Sequence, residues 1–290
     1  MDGCGGKGFL KTAVAVVLDG LDLGTDGIYS AVLPTAPEQA DEVRERVAIA
    51  RREYPDLLFE VARHHSIPVM DREVRVFLRN IPAGGIVTDI GGGWGWHWRL
   101  LDVERADVCV VVVDMVRGNL RHAARLLGAL VNERVFLVHG DATQLPFPSG
   151  VFDGCWSVQV LQHIPGFEQA VKEADRVLKP GGYFASYSLN RARAIELVYR
   201  VLGKSYHIEG KRPASFYLAR ASASQAAVVA RVFGPGVIRR YSEVLFHPDL
   251  RLYTGAEASR IGAFDAHLSG GTPLLALVAR QQSYHVRKSA

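Results

Sequence analysis

Cysteine is scarce in this chain of 290 residues, and no cysteine pair has the spacing of a redox motif. The three cysteines, Cys4, Cys109 and Cys155, are far apart and form neither a CxxC pair nor a zinc-ligand pattern. Cys109 and Cys155 each lie in an apolar segment, so we expect buried free thiols of the kind that a reducing compartment maintains. The cysteines therefore indicate no structural metal site.

Long apolar runs are also missing, since no stretch approaches the roughly 20 apolar residues that a membrane-spanning helix requires. The best apolar segment near the start, Ala13 to Leu18, is short and is followed closely by Asp19, Asp22 and Asp26. The first residues lack the basic flank of a secretory signal. We therefore expect a cytoplasmic protein without a membrane span.

Neither internal repeats nor low-complexity segments occur, and the composition is that of a folded domain. Hydrophobic residues make up 48% and charged residues 22% of the chain. The net charge of +4 is uneven, because residues 191–290 contain 15 Lys and Arg against 6 Asp and Glu. This basic third is either a solvated face or a surface that attracts an anionic substrate or nucleic acid.

The apolar pattern changes along the chain. Residues 1–80 have apolar positions at helical spacing and predict a helical cap. From Ile86 onward, short runs rich in β-branched residues alternate with amphipathic segments, which is typical of an α/β fold with a parallel sheet. The strand-length runs are "IVTDI", "VCVVVVD", "VFLVHGD", "FDGCWSV" and "GYFASYS". Closing strands are predicted in "VIRRYSEVLF" and "LLALVARQQ".

A glycine-rich loop follows the first of these strands. It reads Asp89-Ile90-Gly91-Gly92-Gly93-Trp94-Gly95 and fits D-x-G-x-G-x-G. Glycines let the backbone turn tightly and approach a ligand closely. The segment after the loop, "WGWHWRLLDVERA", predicts a helix on which Trp94 and Trp98 share one face.

Two further acidic residues come at strand ends. Asp114 ends "VCVVVVD", where a carboxylate can accept bonds from both ribose hydroxyls of a nucleoside. Asp141 follows the next strand, where its carboxylate can accept from an adenine amino group while the Ala142 N–H donates to a ring nitrogen. Three spaced carboxylates and the glycine loop together predict a nucleoside-binding site.

With these motifs in order, the segment from about Ile86 to Leu189 resembles a class I methyltransferase that uses S-adenosylmethionine (SAM). The motifs "GDATQLPFPSGVFD", "LQHI" and "RVLKPGGYF" carry the resemblance. Within that superfamily, the segment most resembles the branch of small-molecule methyltransferases that act in ubiquinone and menaquinone biosynthesis and in natural-product biosynthesis. The resemblance implies a Rossmann-like, seven-stranded, mainly parallel sheet with helices on both faces. It also implies a methyltransferase domain over residues 81–290, with an insertion at about 190–235 over the acceptor site and the cap at 1–80.

The resemblance assigns roles to individual residues. The glycine loop would line the methionine half of SAM, Asp114 would hold the ribose with Met115 beside the adenine, and Gln159 would lie near the methionine. The implied cofactor-binding residues are Asp89, Gly91, Gly93, Gly95, Asp114, Met115, Asp141, Ala142 and Gln159. S-adenosylhomocysteine (SAH) would be the product, and the chemistry requires no metal.

Acceptor-side residues are assigned more loosely. His163, in "LQHIPG", is the candidate base, because histidine titrates in the range that suits proton transfer. The alternative is a structural role next to the cofactor. Residues that could contact the acceptor are His64, Trp94, Tyr206, His207 and Arg212. For each of them a packing or surface role stays open.

The predicted activity is methyl transfer to a small-molecule acceptor, with oxygen favoured and nitrogen or carbon acceptors left open. A homodimer is possible. One alternative is an RNA methyltransferase that uses the basic third, although no RNA-binding module is recognisable. "VQVL" stands where many amino-group methyltransferases of nucleic acids have N-P-P-[YF]. Another alternative is a SAM-binding protein without turnover.

Overall fold

The computed structural model describes residues 13–31, 40–211 and 217–289. Strands in these ranges form a nine-stranded sheet and a separate hairpin. The strands are β1 (Asp22–Leu23), β2 (Ile28–Ser30), β3 (Ile86–Ile90), β4 (Cys109–Asp114), β5 (Val135–His139), β6 (Phe152–Val158), β7 (Leu178–Leu189), β8 (Glu209–Lys211), β9 (Tyr217–Ala219), β10 (Ile238–Ser242) and β11 (Gln281–Arg287).

The main sheet has the strand order β1-β2-β5-β4-β3-β6-β7-β11-β10. Neighbours from β2 to β7 pair in parallel, whereas β1, β11 and β10 pair in antiparallel. The parallel α/β fold predicted from the sequence is therefore confirmed. The sheet is wider than the seven predicted strands, because the hairpin β1–β2 extends its β5 edge.

Helices cover both faces of the sheet. They are α1 (Ala40–Ala50), α2 (Leu57–Ala62), α3 (Ile67–Leu78), α4 (Leu101–Glu104), α5 (Arg117–Leu127), α6 (Phe167–Val177), α7 (Arg193–Val201), α8 (Ala223–Phe233) and α9 (Arg260–Leu268). One hydrophobic cluster packs α6 and α8 against the sheet, and a second packs α3 and α5 against the opposite face.

Strand β4 shows why its sequence is apolar throughout. Cys109, Val111 and Val113 belong to the first cluster, whereas Val110 and Val112 belong to the second. All five are buried, because successive side chains of a strand point to opposite faces and both faces are covered. Cys109 is a buried free thiol, as is Cys155 on β6.

The amino-terminal region is less helical than its sequence pattern predicts. The turn "DLGTDG" forms the hairpin β1–β2, and Arg117 at the start of α5 anchors it. The Arg117 guanidinium donates from Nε to Asp26 Oδ2 at 3.0 Å and from Nη2 to Asp26 Oδ1 at 2.5 Å. This fork lowers the pKa of Asp26 to about 2. Among the described residues of this region, α3 packs in the core, whereas α1, α2 and the turns that follow them line a cavity.

Three other predicted elements differ in the structure. The predicted helix after the glycine loop is reduced to a 3₁₀ turn, Trp96–Trp98, and the one-turn α4, because Gly93 and Gly95 have φ of +55° and +66°. Trp94 and Trp98 therefore share no helix face. Strand β11 begins only at Gln281, since Pro273–Leu277 forms a 3₁₀ turn. The segment at about 190–235 was predicted to be an insertion over the acceptor site. Within it, α8 instead packs against the sheet as part of the hydrophobic core.

Candidate active site

A cavity of about 580 Å³ lies at the edge of the sheet where the parallel strands end. Its floor follows the strand order and consists of residues at, or within three positions after, the carboxyl ends of β5, β4, β3, β6 and β7. These are Asp141 and Ala142, Asp114 and Met115, Gly91 to Gly93, Gln159, and Leu189. The amino-terminal region forms the opposite wall with Arg46, Tyr54, Glu60, His64 and His65. In open α/β sheets this edge is where ligands bind.

The glycine loop forms the centre of the floor. The N–H groups of Gly91 and Gly92 both donate to the Val113 carbonyl, at 2.7 and 3.1 Å, which holds the loop against β4. Gly91 has φ of +71°, and a Cβ there would lie 2.3 Å from the Val160 side chain. The glycines are needed because the backbone turns sharply and lies closely against its neighbours.

Asp89 lies beneath this loop and is not among the residues that line the cavity, so its cofactor role stays a prediction. Its Oδ2 accepts a 2.7 Å hydrogen bond from Trp98 Nε1, and both side chains are buried. Burial raises the pKa of Asp89 to about 7, although the bond from Trp98 opposes the shift. Asp89 thus connects the glycine loop to the tryptophan-rich segment. Gly95 is likewise outside the wall and packs against Leu127.

Asp114 is the central anion of the cavity. Its Oδ2 accepts from the Gly93 N–H at 3.0 Å, and its Oδ1 accepts from the Val116 N–H at 2.8 Å and from Asn119 Nδ2 at 3.3 Å. Burial raises the pKa of Asp114, and these three hydrogen bonds oppose the rise. The carboxylate is therefore held in one orientation at the cavity wall. Asn119, which sequence reasoning missed, follows Asp114 by five positions on α5.

Asp141 and Gln159 leave hydrogen-bonding capacity at the cavity. Asp141 Oδ1 accepts from the Thr143 N–H and from Thr143 Oγ1, both at 2.8 Å, whereas Oδ2 has no partner among the described residues. Gln159 has φ of +54°, a conformation that costs a non-glycine residue about 1–3 kcal/mol. The buried Gln159 Nε2 has no partner among the residues described. Both groups line the cavity and can bind a polar ligand.

His163 lies on the cavity wall in the 3₁₀ turn after β6. Its Nδ1 is 2.6 Å from the Tyr217 carbonyl oxygen, which can only accept, so Nδ1 carries the proton. Gln162 Oε1 accepts from the Leu189 N–H at 2.5 Å, which turns the Gln162 amide nitrogen toward His163 Nε2 at 3.2 Å. These contacts define a neutral imidazole whose lone pair is on Nε2.

Of the other residues predicted to contact the acceptor, some line the cavity and others do not. His64 and Trp94 line the cavity. Tyr206 does not, contrary to expectation, because its hydroxyl donates to the Asn190 carbonyl and its ring stacks under Arg220 at 4.0 Å. His207 lines a separate surface depression beside Lys204. Arg212 lies outside the described residues.

Several cavity residues carry no motif that sequence reasoning could use. His65 comes from the turn after α2, and its buried Nδ1 has no partner among the described residues. Arg280 comes from the segment just before β11, 121 positions after Gln159 in the chain. Only the fold brings these side chains to the same cavity as the glycine loop.

The comparisons with known proteins agree with this geometry. Residues 88–186 match the family described as "Methyltransferase domain". This segment, about a third of the chain, is similar to methyltransferase domains of the class I SAM-dependent type. It contains the glycine loop, Asp114, Asp141, Gln159 and His163.

Curated relatives match over part of this chain. Sterol 24-C-methyltransferase of Eremothecium gossypii is 35% identical over 113 residues, which are 37% of this chain and 29% of the relative. 27-O-demethylrifamycin SV methyltransferase of Amycolatopsis mediterranei is 34% identical over 36% of this chain and 38% of the relative. The chain thus spans about a third of the length of the curated relatives it matches.

Solved structures share the fold of the methyltransferase domain and most of the rest of the chain. A SAM-dependent methyltransferase of Thermotoga maritima, described as a possible histamine N-methyltransferase, has a TM-score of 0.56 at 17% identity. The aligned region covers 86% of this chain and 99% of the Thermotoga maritima chain. The [4+2]-cyclase SpnF has a TM-score of 0.54 at 17% identity, and the aligned region covers 90% of this chain and 98% of SpnF. These likenesses concern the fold alone.

SAM is the cofactor of this domain class, and the residues of the cavity fit it. The unpartnered Gln159 Nε2 can donate to a carboxylate such as that of the methionine moiety. The free Asp141 Oδ2 can accept from an adenine amino group, and Asp114 can accept from ribose hydroxyls. The glycine loop provides a floor without side chains.

Residues 13–31, 40–211 and 217–289 contain no group of three His, Cys, Asp or Glu side chains arranged to hold a metal ion. None of their helices combines the length and apolar character that crossing a bilayer requires.

Proposed function

We propose that this protein is a methyltransferase that transfers the methyl group of SAM to an oxygen atom of a small-molecule acceptor. The observation that carries the proposal is the continuity of the cavity along the sheet edge. Its β5–β4–β3–β6 portion contains the residues that fit SAM, and the same cavity continues past Leu189 to Arg280 at the β7–β11 end. That end leaves room for an acceptor beside the cofactor.

When bound, SAM supplies an electrophilic methyl group for in-line displacement. The chain supplies binding, orientation and exclusion of water. Asp114 and Asp141 orient the nucleoside, the glycine loop and Gln159 hold the methionine end, and the region from Arg46 to His65 covers the cavity. An oxygen acceptor must also lose a proton, for which His163 is the candidate base.

Incubation with labelled SAM and fractionated cell extract tests the proposal. We expect the label to appear in the small-molecule fraction and to be absent when Asp114→Ala replaces the wild-type protein. Label in the RNA fraction would overturn the small-molecule acceptor. Binding of SAH without label in any fraction would instead support a SAM-binding protein without turnover, since fold alone does not fix the reaction.

An RNA acceptor is the second candidate because of the basic carboxyl-terminal third. A relative named tRNA (carboxymethyluridine(34)-5-O)-methyltransferase alkbh8, from Xenopus tropicalis, is 29% identical over 61% of this chain and 26% of its own length. However, basic residues of that third pair with acids from elsewhere. Arg231 pairs with Glu168, Arg240 with Glu73, and Lys288 with Asp175. This pairing weakens the basic surface and favours the small-molecule proposal.

Replacing His163 with Asn is expected to lower turnover at saturating SAM about 100-fold or more, since general-base catalysis contributes roughly 10²–10⁴-fold. The reason is the imidazole tautomer, in which the Tyr217 carbonyl fixes Nδ1–H and Nε2 has the lone pair. The measurement is the initial rate with the extract fraction that accepts label. A decrease of less than tenfold, with SAH affinity retained, would reject the base and leave His163 a structural role. His267→Asn, at an exposed histidine on α9, is the control.

The remaining assignments stay predictions. A cytoplasmic location, a possible homodimer and the domain boundary near residue 80 rest on the sequence pattern. Among the acceptor-side residues, His64 and Trp94 are supported by their position in the cavity wall.

A further inference from the structure

Arg280 is an unusual cavity residue because it is a nearly buried cation. Its side chain is 12% exposed, and its Nη1 donates to Glu243, which is fully buried. Within the described residues, the Nε and Nη2 groups of Arg280 have no hydrogen-bond partner. Arg280 lines the same cavity as Leu189, the last residue of β7. A desolvated guanidinium with unused donors is costly unless an anion completes its hydrogen bonds.

The surroundings hold this guanidinium in place. Glu243 Oε1 accepts a 2.8 Å hydrogen bond from the Ser66 N–H, so Glu243 is fixed from two sides. The backbone N–H of Arg280 donates to the Glu243 carbonyl at 2.9 Å, and the Arg280 carbonyl accepts from the Asn190 N–H at 2.7 Å. The guanidinium carbon also lies 5.6 Å from the centre of the Phe246 ring. This support prepares one face of the guanidinium for a ligand.

The charge at this end of the cavity suits a singly charged anion. His64 and His65 line the cavity together with Arg280, and burial together with the Arg280 charge lowers the pKa of both. Both imidazoles are therefore neutral at pH 7, so Arg280, already in contact with Glu243, is the charged group among these three cavity residues. The planar fork of an arginine can pair with a carboxylate or a phosphate, but a carboxylate brings one negative charge to this single guanidinium, whereas a phosphate dianion brings two.

We propose that the methyl acceptor carries a carboxylate group and that Arg280 binds it at the β7–β11 end of the cavity. The inference rests on the proposed function, since it names the acceptor class of the same site. Arg280 lies beyond the SAM-fitting residues in strand order, so an acceptor anchored there extends back toward Gln159 and the methionine end. His65, with its unpartnered Nδ1, can complete the hydrogen bonds of the carboxylate.

Calorimetry on the SAH-saturated full chain tests this proposal with matched neutral and charged probes. The probes are 4-hydroxybenzoate and 4-hydroxybenzamide, 4-hydroxycinnamate and its amide, and phenyl phosphate. We expect each carboxylate to bind at least about tenfold more tightly than its amide, and phenyl phosphate to bind more weakly than the carboxylates. Equal binding of acid and amide, no binding of any carboxylate, or preference for phenyl phosphate would each overturn the proposal.

Variants then assign the preference to Arg280. R280Q is expected to bring the ratio of carboxylate affinity to amide affinity close to 1. R280K, which keeps the charge beside Glu243, is expected to retain part of the preference for the carboxylate. R200Q, at an exposed arginine on α7, is the matched control and should leave the ratio unchanged. A full ratio in R280Q would overturn the assignment. SAH affinity is measured for every variant, because failure of the wild-type protein to bind SAH would refute the proposed function itself. The carboxylate preference of the wild-type protein is measured without any variant, so it tests the proposal even where a variant fails to fold.

Discussion

The Asp114→Ala variant is expected to bind SAH about 100-fold more weakly than the wild-type protein. The carboxylate is proposed to accept both ribose hydroxyls, and hydrogen bonds to a charged group contribute about 1.5–3 kcal/mol each. The substitution also removes the acceptor for the Gly93 N–H, so the glycine loop loses one of its connections to the end of β4, while the Gly91 and Gly92 bonds to the Val113 carbonyl remain. Isothermal titration with SAH measures the effect, and thermal unfolding shows whether the variant still folds.

Asp114→Asn separates the charge from the shape of the side chain. It is expected to weaken SAH binding by a smaller factor, because one oxygen acceptor remains. Asp102→Asn, which changes an exposed carboxylate paired with Arg134, should leave the affinity unchanged. An Asp114→Ala variant that folds and binds SAH within threefold of the wild-type value would contradict the proposed role of Asp114.

Replacing Asp89 with Asn is expected to stabilise the ligand-free protein at alkaline pH. Burial raises the pKa of Asp89 from its ordinary value of 3.8 to about 7. Between these values the folded state binds more protons than the unfolded state, so the free energy of unfolding of the wild-type protein falls as pH rises. The loss reaches up to about 4 kcal/mol at pH 8. Asn retains an oxygen that accepts the bond from Trp98 without ionising.

Urea unfolding at several pH values between 4.5 and 8 measures this difference. The stability advantage of Asp89→Asn should be small at pH 4.5 and grow up to about pH 7, then level off. Asp102→Asn serves again as the exposed control and should show no such growth. An advantage that is constant with pH, or a variant less stable than wild type at pH 8, would show that Asp89 is ionised in the folded protein without cost.

Much of the cofactor half could be predicted from the sequence because its signals are local. A glycine loop after an apolar strand and carboxylates at the ends of the next two strands occur within 53 residues, from Asp89 to Asp141. Parallel strands bring their carboxyl ends to one edge, so the local motifs are enough to place Asp114 and Asp141 together. The alternation of strands and helices likewise predicts the sheet.

Asp89 shows where the same reasoning is insufficient. The motif predicts its position in the chain but not the direction of its side chain. In the structure the residue faces the buried indole of Trp98, since alternate residues of β3 face opposite sides of the sheet. The three tryptophans also suggested one helix, whereas the left-handed glycines Gly93 and Gly95 divide the segment. Backbone conformation at these glycines decided the outcome.

The acceptor half depends on contacts between distant parts of the chain. His65, Glu243 and Arg280 carry no recognisable motif, and Glu243 is 177 positions away from the Ser66 N–H that it binds. The nine-stranded order also depends on pairing of β1–β2 with β5, which the helical pattern of the first 80 residues did not predict. Such pairings are selected by burial and charge compensation across the whole fold.

The sequence by itself therefore determined the domain class, the parallel sheet and the sheet edge at which the cavity lies, because each depends on residues that are close together in the chain. Only the tertiary structure decided which side chains close the other end of the cavity. It set Arg280 against the buried Glu243 and placed Arg280 in the wall of the same cavity as the glycine loop. The physical reason is that desolvation and ion pairing depend on three-dimensional neighbours rather than on spacing along the chain.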